Sequence, residues 1–176
     1  MKKNVFIIIM LFVLQSLFAE NLHFENYIVK EDSNKFRTDT YYLGQIKSKS
    51  MIETLKNNNS YEYLDNYGGY SNVLKISNND IVLYFRESEL FSLIEIRLLT
   101  SKYYLNGTSI KTETSINDVI AKYNTSFTKY ENEKTYYFAE LEDYTSEFAD
   151  TSFFNISLCV DNEIIKEIVL YYSFTL

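Results

Sequence analysis

Apolar and polar positions alternate in short runs along most of the chain, and only two windows carry helical spacing. The clearer window is Ile116, Val119, Ile120 and Tyr123, at i, i+3, i+4 and i+7, one apolar stripe. Ser115 and Asp118 stand before it as Ser-x-x-Asp, the form of a capping box, and Asn124 follows as a helix stop. The weaker window has Ser50-Met51-Ile52-Glu53 as its box, Met51 and Leu55 on one face, and Asn57-Asn58-Asn59 as a stop suited to a left-handed cap. Both helices are expected to be short, so tertiary packing must hold them.

The remaining runs read as strands. Val73–Ile76, Ile81–Phe85 and Leu90–Leu99 are separated by Ser77-Asn78-Asn79-Asp80 and Arg86-Glu87-Ser88-Glu89, both suited to hairpin turns. Later, Thr135–Ala139, Phe153–Val160 and Ile164–Phe174 are rich in β-branched and aromatic residues. Brief strands are also expected through Phe24–Val29, Tyr61–Leu64 and near Tyr130, and Tyr103–Leu105 precedes a turn at Asn106-Gly107. The last strand of each half has large apolar residues at i, i+3, i+5 and i+7: Phe91, Ile94, Ile96, Leu98, and Ile165, Ile168, Leu170, Tyr172. A step of three followed by steps of two is the mark of a β-bulge.

These patterns predict an α+β fold of two similar units, about 41–99 and 103–174. Each is a short helix followed by an antiparallel β-meander, with the helices packed on one face of the sheet. Ser50 matches Ser115, Met51 matches Ile116 and Leu55 matches Ile120, the signature of an internal repeat.

The N-terminus alters the setting. Lys2-Lys3, the apolar run Val5–Leu14 and Ala19 have the layout of a secretory signal peptide over residues 1–19, leaving 20–176 as a single domain. The apolar run is shorter than the roughly 20 residues of a spanning helix, so no stable membrane insertion is expected after cleavage. Removing Lys2 and Lys3, with no acid, moves the formal charge from −7 to −9 over the remaining 157 residues. That balance disfavours nucleic acid and anionic membrane surfaces. Cys159 is the only cysteine, which excludes an intramolecular disulfide.

From Gly107 to Asn124 the order is glycine, a few residues, Thr or Ser, an acid, Val, Ile, Tyr and a helix stop. This resembles the helix-then-hairpin unit of small exported bacterial proteins related to the β-lactamase-inhibitor-protein-like fold and the outer-membrane assembly lipoprotein SmpA. Those families usually end the helix with Tyr/Phe-Gly and often begin it with Gly-Met. Here Asn124 follows Tyr123 and Thr108 follows Gly107. The lipoproteins also carry an N-terminal cysteine that this chain lacks. The resemblance implies helices on one face of an antiparallel sheet and a binding role.

Candidate chemistry is thin. His23 is the only histidine and falls close after the expected cleavage point, a poor place to position a proton-transfer group. Cys159 reads as a structural thiol within a strand. Glu140, Glu142, Asp143, Glu147 and Asp150 lack the spacing and glycine of an EF-hand and read as a solvated acidic loop. No catalytic residue, metal or cofactor is expected. Tyrosine is the excess that bears on function, with 17 in the chain, because its rigid ring and wet hydroxyl suit interfaces. Tyr61, Tyr63, Tyr67, Tyr70, Tyr136 and Tyr137 are the expected partner-binding residues. The expectation is an exported, periplasmic or secreted, non-enzymatic protein that binds a protein partner. The alternatives are a small-ligand or carbohydrate carrier and a hydrolase using the loop carboxylates.

Overall fold

The computed structural model describes residues 28–31, 40–123, 127–141 and 152–174. In chain order the elements are β1 (Val29–Glu31), β2 (Thr40–Tyr41), β3 (Ile46–Lys47), α1 (Lys49–Asn58), β4 (Ser60–Tyr67), β5 (Tyr70–Ser77), β6 (Ile81–Glu87) and β7 (Phe91–Leu98). They continue with β8 (Tyr103–Leu105), α2 (Ile116–Lys122), β9 (Thr128–Glu131), β10 (Thr135–Leu141), β11 (Ser152–Asp161) and β12 (Ile164–Phe174).

The main sheet runs β4-β5-β6-β7-β12-β11-β10-β9, with β3 added against β7. Each half is a four-stranded antiparallel meander, and the two meet through their last strands: Leu98 pairs with Ile168 and Ile96 with Leu170. One face carries the principal core. It includes Leu74, Ile76, Leu83, Phe85, Leu93 and Ile96 from the first half and Ile156, Leu158, Ile165, Ile168 and Leu170 from the second.

The expectation of an α+β fold with helices packed on the sheet is corrected here. Strands hold 58% of the described residues and helices 14%, so the protein is nearly all β. The physical reason is the narrowness of the helical stripes. The only buried residue of α1 is Ile52, and those of α2 are Ile116 and Val119. Much of the layer opposite the main sheet comes from elsewhere. A three-stranded sheet, β2-β1-β8, and the turns around it supply Val29, Tyr41, Leu43, Tyr103, Leu105 and Ile110 to the same core.

Both helices have a serine N-cap, but neither forms the expected capping box. The N-cap of α1 is Ser48, whose hydroxyl accepts from the Met51 amide at 3.4 Å, two positions before the expected Ser50. Ile52 is the buried residue of this helix, Leu55 packs against the core beside it, and Met51 is 50% exposed. At the other end Asn59 is extended, not left-handed; the side-chain amides of Asn58 and Asn59 donate to the carbonyls of Thr54 and Leu55. In α2, Ser115 is the N-cap without a side-chain bond, and Ile120 is 41% exposed. Asn124, the expected stop, lies outside the described residues.

The bulges are present in both halves. The β6–β7 register shifts between Tyr84 and Phe85, and the β11–β12 register between Cys159 and Val160. Ile94 and Lys166 are the residues skipped. The core face of β7 therefore reads Phe91, Leu93, Ile96, Leu98, and Ile94 joins a cluster on the opposite face. Leu93 thus corresponds to Ile165.

The segment before each helix docks on the same place. Gly44 N donates to Leu93 O (2.8 Å) and Leu93 N to Gln45 O (3.0 Å); Glu113 N donates to Ile165 O (2.7 Å) and Ile165 N to Thr114 O (3.0 Å). Gly44 has φ 79° and Glu113 φ 69° at these matching positions. The left-handed region is free for glycine and costs other L-residues about 1–2 kcal/mol. Gly44→Ala is therefore expected to lower stability by about 1–2 kcal/mol. Glu113→Gly, which relieves the same conformation but loosens the unfolded chain, should be nearly neutral or stabilising. Urea unfolding of both variants checks this; a large loss for Glu113→Gly would show that its bond from Ser101 matters more than its backbone.

Candidate partner-binding face

In an antiparallel pair, residues directly opposite share a face. The face away from the principal core is therefore read from the register. It presents Lys75, Tyr84 and Glu95 in one row across β5, β6 and β7, and Tyr136, Cys159 and Glu167 in the matching row across β10, β11 and β12. Tyr171 extends the first row from Glu95, and Phe138, Val169 and Arg97 lie between the two rows, at the junction of the halves or beside it.

The first half of this face has its own small cluster, Val73, Val82, Tyr84 and Ile94, against which Leu64, Tyr67 and Tyr70 pack. Those covering residues come from β4 and the long β4–β5 hairpin. Gly68 (φ 59°) and Gly69 (φ 84°) form its turn, and Asn72 has φ 56°. This irregular tip brings Tyr67 over β6, where its ring stacks on Tyr84 with centroids 4.3 Å apart and planes 9° from parallel.

The Tyr67 hydroxyl ends in a charged network. It donates to Glu95 Oε1 at 2.7 Å and accepts from Arg97 Nη2 at 2.8 Å. Arg97 Nε also donates to Glu95 Oε1 at 2.6 Å, and Nη1 reaches Glu167 Oε1 on β12 at 3.5 Å. The guanidinium lies 5.5 Å from the Tyr84 ring centroid. One arginine thus bridges two glutamates that occupy matching positions in the two halves.

Burial, reinforced by the hydrogen bond and charge of Glu95, raises the pKa of Tyr67 well above the ordinary tyrosine value. Burial disfavours the charge on Arg97, but Glu95 more than offsets it and the guanidinium pKa is raised. Burial and then Glu95 also raise Tyr171. Nothing here resembles an activated acid or base.

No protein-family model, curated protein or solved structure matches the chain.

The expected tyrosines divide among three places. Tyr67, Tyr70 and Tyr136 lie on the open face. Tyr61 and Tyr63 pair with Ile76 and Leu74, so they flank the edge on the core side, where they are 53% and 52% exposed. Their rings meet edge to face at 6.3 Å, and Lys56 Nζ lies 4.5 Å and 5.6 Å from the two centroids. Tyr137 pairs with Leu158 and packs against the principal core.

Sequence reasoning missed Tyr84, Glu95, Arg97, Phe138 and Glu167. A signal existed: Glu95 and Arg97 are two apart in a strand whose other residues, apart from Ser92, are Phe, Ile and Leu, so both had to share the face away from the core. Cys159 is buried, and burial pushes its thiol pKa up while Lys134 opposes the shift. Glu140 lies in β10 opposite Asn155, and the rest of the acidic segment, with His23, lies outside the described residues. Among the described residues no group of His, Cys, Asp and Glu converges as a metal site. No described helix is long and apolar enough to cross a membrane.

Because Tyr67 is neutral in the folded state beyond its unfolded pKa of about 10, the stability it contributes is present below that pH. It is lost as pH rises towards the folded value. Tyr67→Phe should cost about 1–3 kcal/mol at pH 7 by removing bonds to charged partners. It should also flatten the decline in stability above about pH 10, since Phe has no proton to lose. Urea unfolding of both proteins from pH 7 to 11 checks this; equal alkaline slopes would show that Tyr67 is not held neutral by its site.

Proposed function

We propose that the mature chain is an exported, non-enzymatic protein, periplasmic or secreted, that binds a protein partner through the open face of the main sheet. The observation that carries this reading is the half-exposed aromatic and ionic surface centred on the β7–β12 junction. Phe138 and Tyr171 have ring centroids 6.3 Å apart, and Arg97 with its two glutamates lies beside them. Aromatic residues and arginine are the types enriched at binding hot spots. The surface is also pre-organised: the Arg97 network fixes side chains that would otherwise have to be ordered on binding.

The matched backbone contacts before each helix, the matched bulges and the mirrored strand order support a duplicated unit as the origin of this face. Joining two units edge to edge yields a sheet wide enough for a protein surface, which neither meander supplies alone. The N-terminal layout of residues 1–19 supports export.

Affinity capture from the cell-envelope fraction, with the chain from residue 20 as bait, tests the reading. One specific protein should be retained. The Phe138→Ser/Tyr171→Ser double variant should lose it by tenfold or more (at least about 1.4 kcal/mol). Tyr61→Ser/Tyr63→Ser, altered on the other side, should retain it. Retention by the first variant and loss by the second would move the site to the β4 edge. No retained protein, with a large thermal shift from a small molecule or sugar, would favour the carrier.

A further inference from the structure

The two halves differ at one matched place on the open face. Tyr84 and Cys159 are the residues just before the register shift in their hairpins, and they pair with Glu95 and Glu167. By the same register, Ile94 corresponds to Lys166, the skipped residue of each bulge, and Val82 corresponds to Ser157. In the first half this place is filled by Tyr67 and Tyr70 from the long β4–β5 tip. In the second half the β9–β10 hairpin turns at residues 132–134, so nothing in it corresponds to residues 65–72. A cavity of about 400 Å³ lies there instead, lined by Asn132, Glu133, Lys134, Cys159, Asp161 and Lys166 among others.

Resting on the partner-binding reading, we propose that this cavity receives a tyrosine side chain of the partner. The lining selects the class of occupant. Two lysines and two acids leave no net charge to favour an anion, and they offer a hydroxyl both a donor and an acceptor. The Tyr67 hydroxyl makes that pair of bonds in the other half, to Arg97 and Glu95. The buried Cys159 thiol gives a weakly polar wall, and its neighbour across the ladder is Tyr136, a ring on the same face. The volume lies within the roughly 300–1,000 Å³ typical of ligand pockets and leaves room for an aromatic ring.

The test is titration of the ¹⁵N-labelled chain from residue 20 with N-acetyl-tyrosinamide, alongside N-acetyl-leucinamide and inorganic phosphate. The tyrosine probe should give saturable shifts at the amides of Thr135, Cys159 and Lys166, with at least fivefold weaker binding for the leucine probe. Phosphate should give no saturable change there. Lys166→Ile, which installs the first half's residue at an exposed position, removes one of the two ammonium donors from the lining and should weaken the tyrosine probe by fivefold or more. Circular dichroism confirms its fold. Saturation of these amides by phosphate, equal binding of the leucine probe, or tyrosine shifts scattered elsewhere would each overturn the proposal. The envelope capture separates the two readings. A partner lost by Phe138→Ser/Tyr171→Ser but kept in full by Lys166→Ile leaves the face standing and removes the pocket.

Discussion

The structure depends on the antiparallel pairing of β7 with β12. Without it there are two four-stranded meanders, each with an exposed final strand. With it there is one sheet, in which Ile96, Leu98, Ile168 and Leu170 lie at the centre of a shared core and are fully buried. On the opposite side the same pairing sets Arg97 against Val169 and Glu95 against Tyr171, so the ionic network and the aromatic surface arise from one register. A slip of one residue would exchange the two faces. The core fixes the register, and the register places the polar surface.

That surface is built on asymmetry between two meanders of mirrored strand order. Glu95 and Glu167 hold matching positions, but only the first half has the arginine, and only the first half has a hairpin long enough to curl over its own face. Tyr67 stacks, donates and accepts there, closing a second small core at the cost of an irregular tip with several left-handed residues. The second half keeps the short hairpin and an open cavity. The difference in hairpin length therefore separates a self-covered region from one that its own hairpin leaves uncovered.

Much of the strand plan was legible in the sequence. β-Branched and aromatic runs bounded by Asn, Asp, Ser and Glu turns located β5, β6, β7, β10, β11 and β12, and the three-then-two spacing announced the bulges. The balance of helix and strand was not legible, because helical periodicity tells where a helix forms and not how much of the core it covers. Ile52 did not stand out because Met51 and Ile52 are adjacent apolar residues, three and four before Leu55, and so short a stripe does not say which of them turns inward. Ile94 was assigned to the core because a bulge can be detected from spacing while the skipped residue cannot. Among the expected partner residues, Tyr67 and Tyr70 needed no tertiary information to be grouped with Gly68-Gly69. Their position over β6 depended on a curl at Asn72 that no sequence pattern displays. Tyr84 was hidden in a strand that reads simply as apolar, whereas Glu95 and Arg97 visibly interrupt theirs.

Native-state amide hydrogen exchange of the chain from residue 20 is the most direct test that the halves form one sheet with one continuous open face. The amides of Ile96, Leu98, Ile168 and Leu170 that bond within the sheet should be among the slowest. They should share one opening free energy equal to that of global unfolding, with the β4 and β9 edges exchanging faster. Fast exchange along β7 and β12, with each half protected separately and opening at its own free energy, would contradict the account.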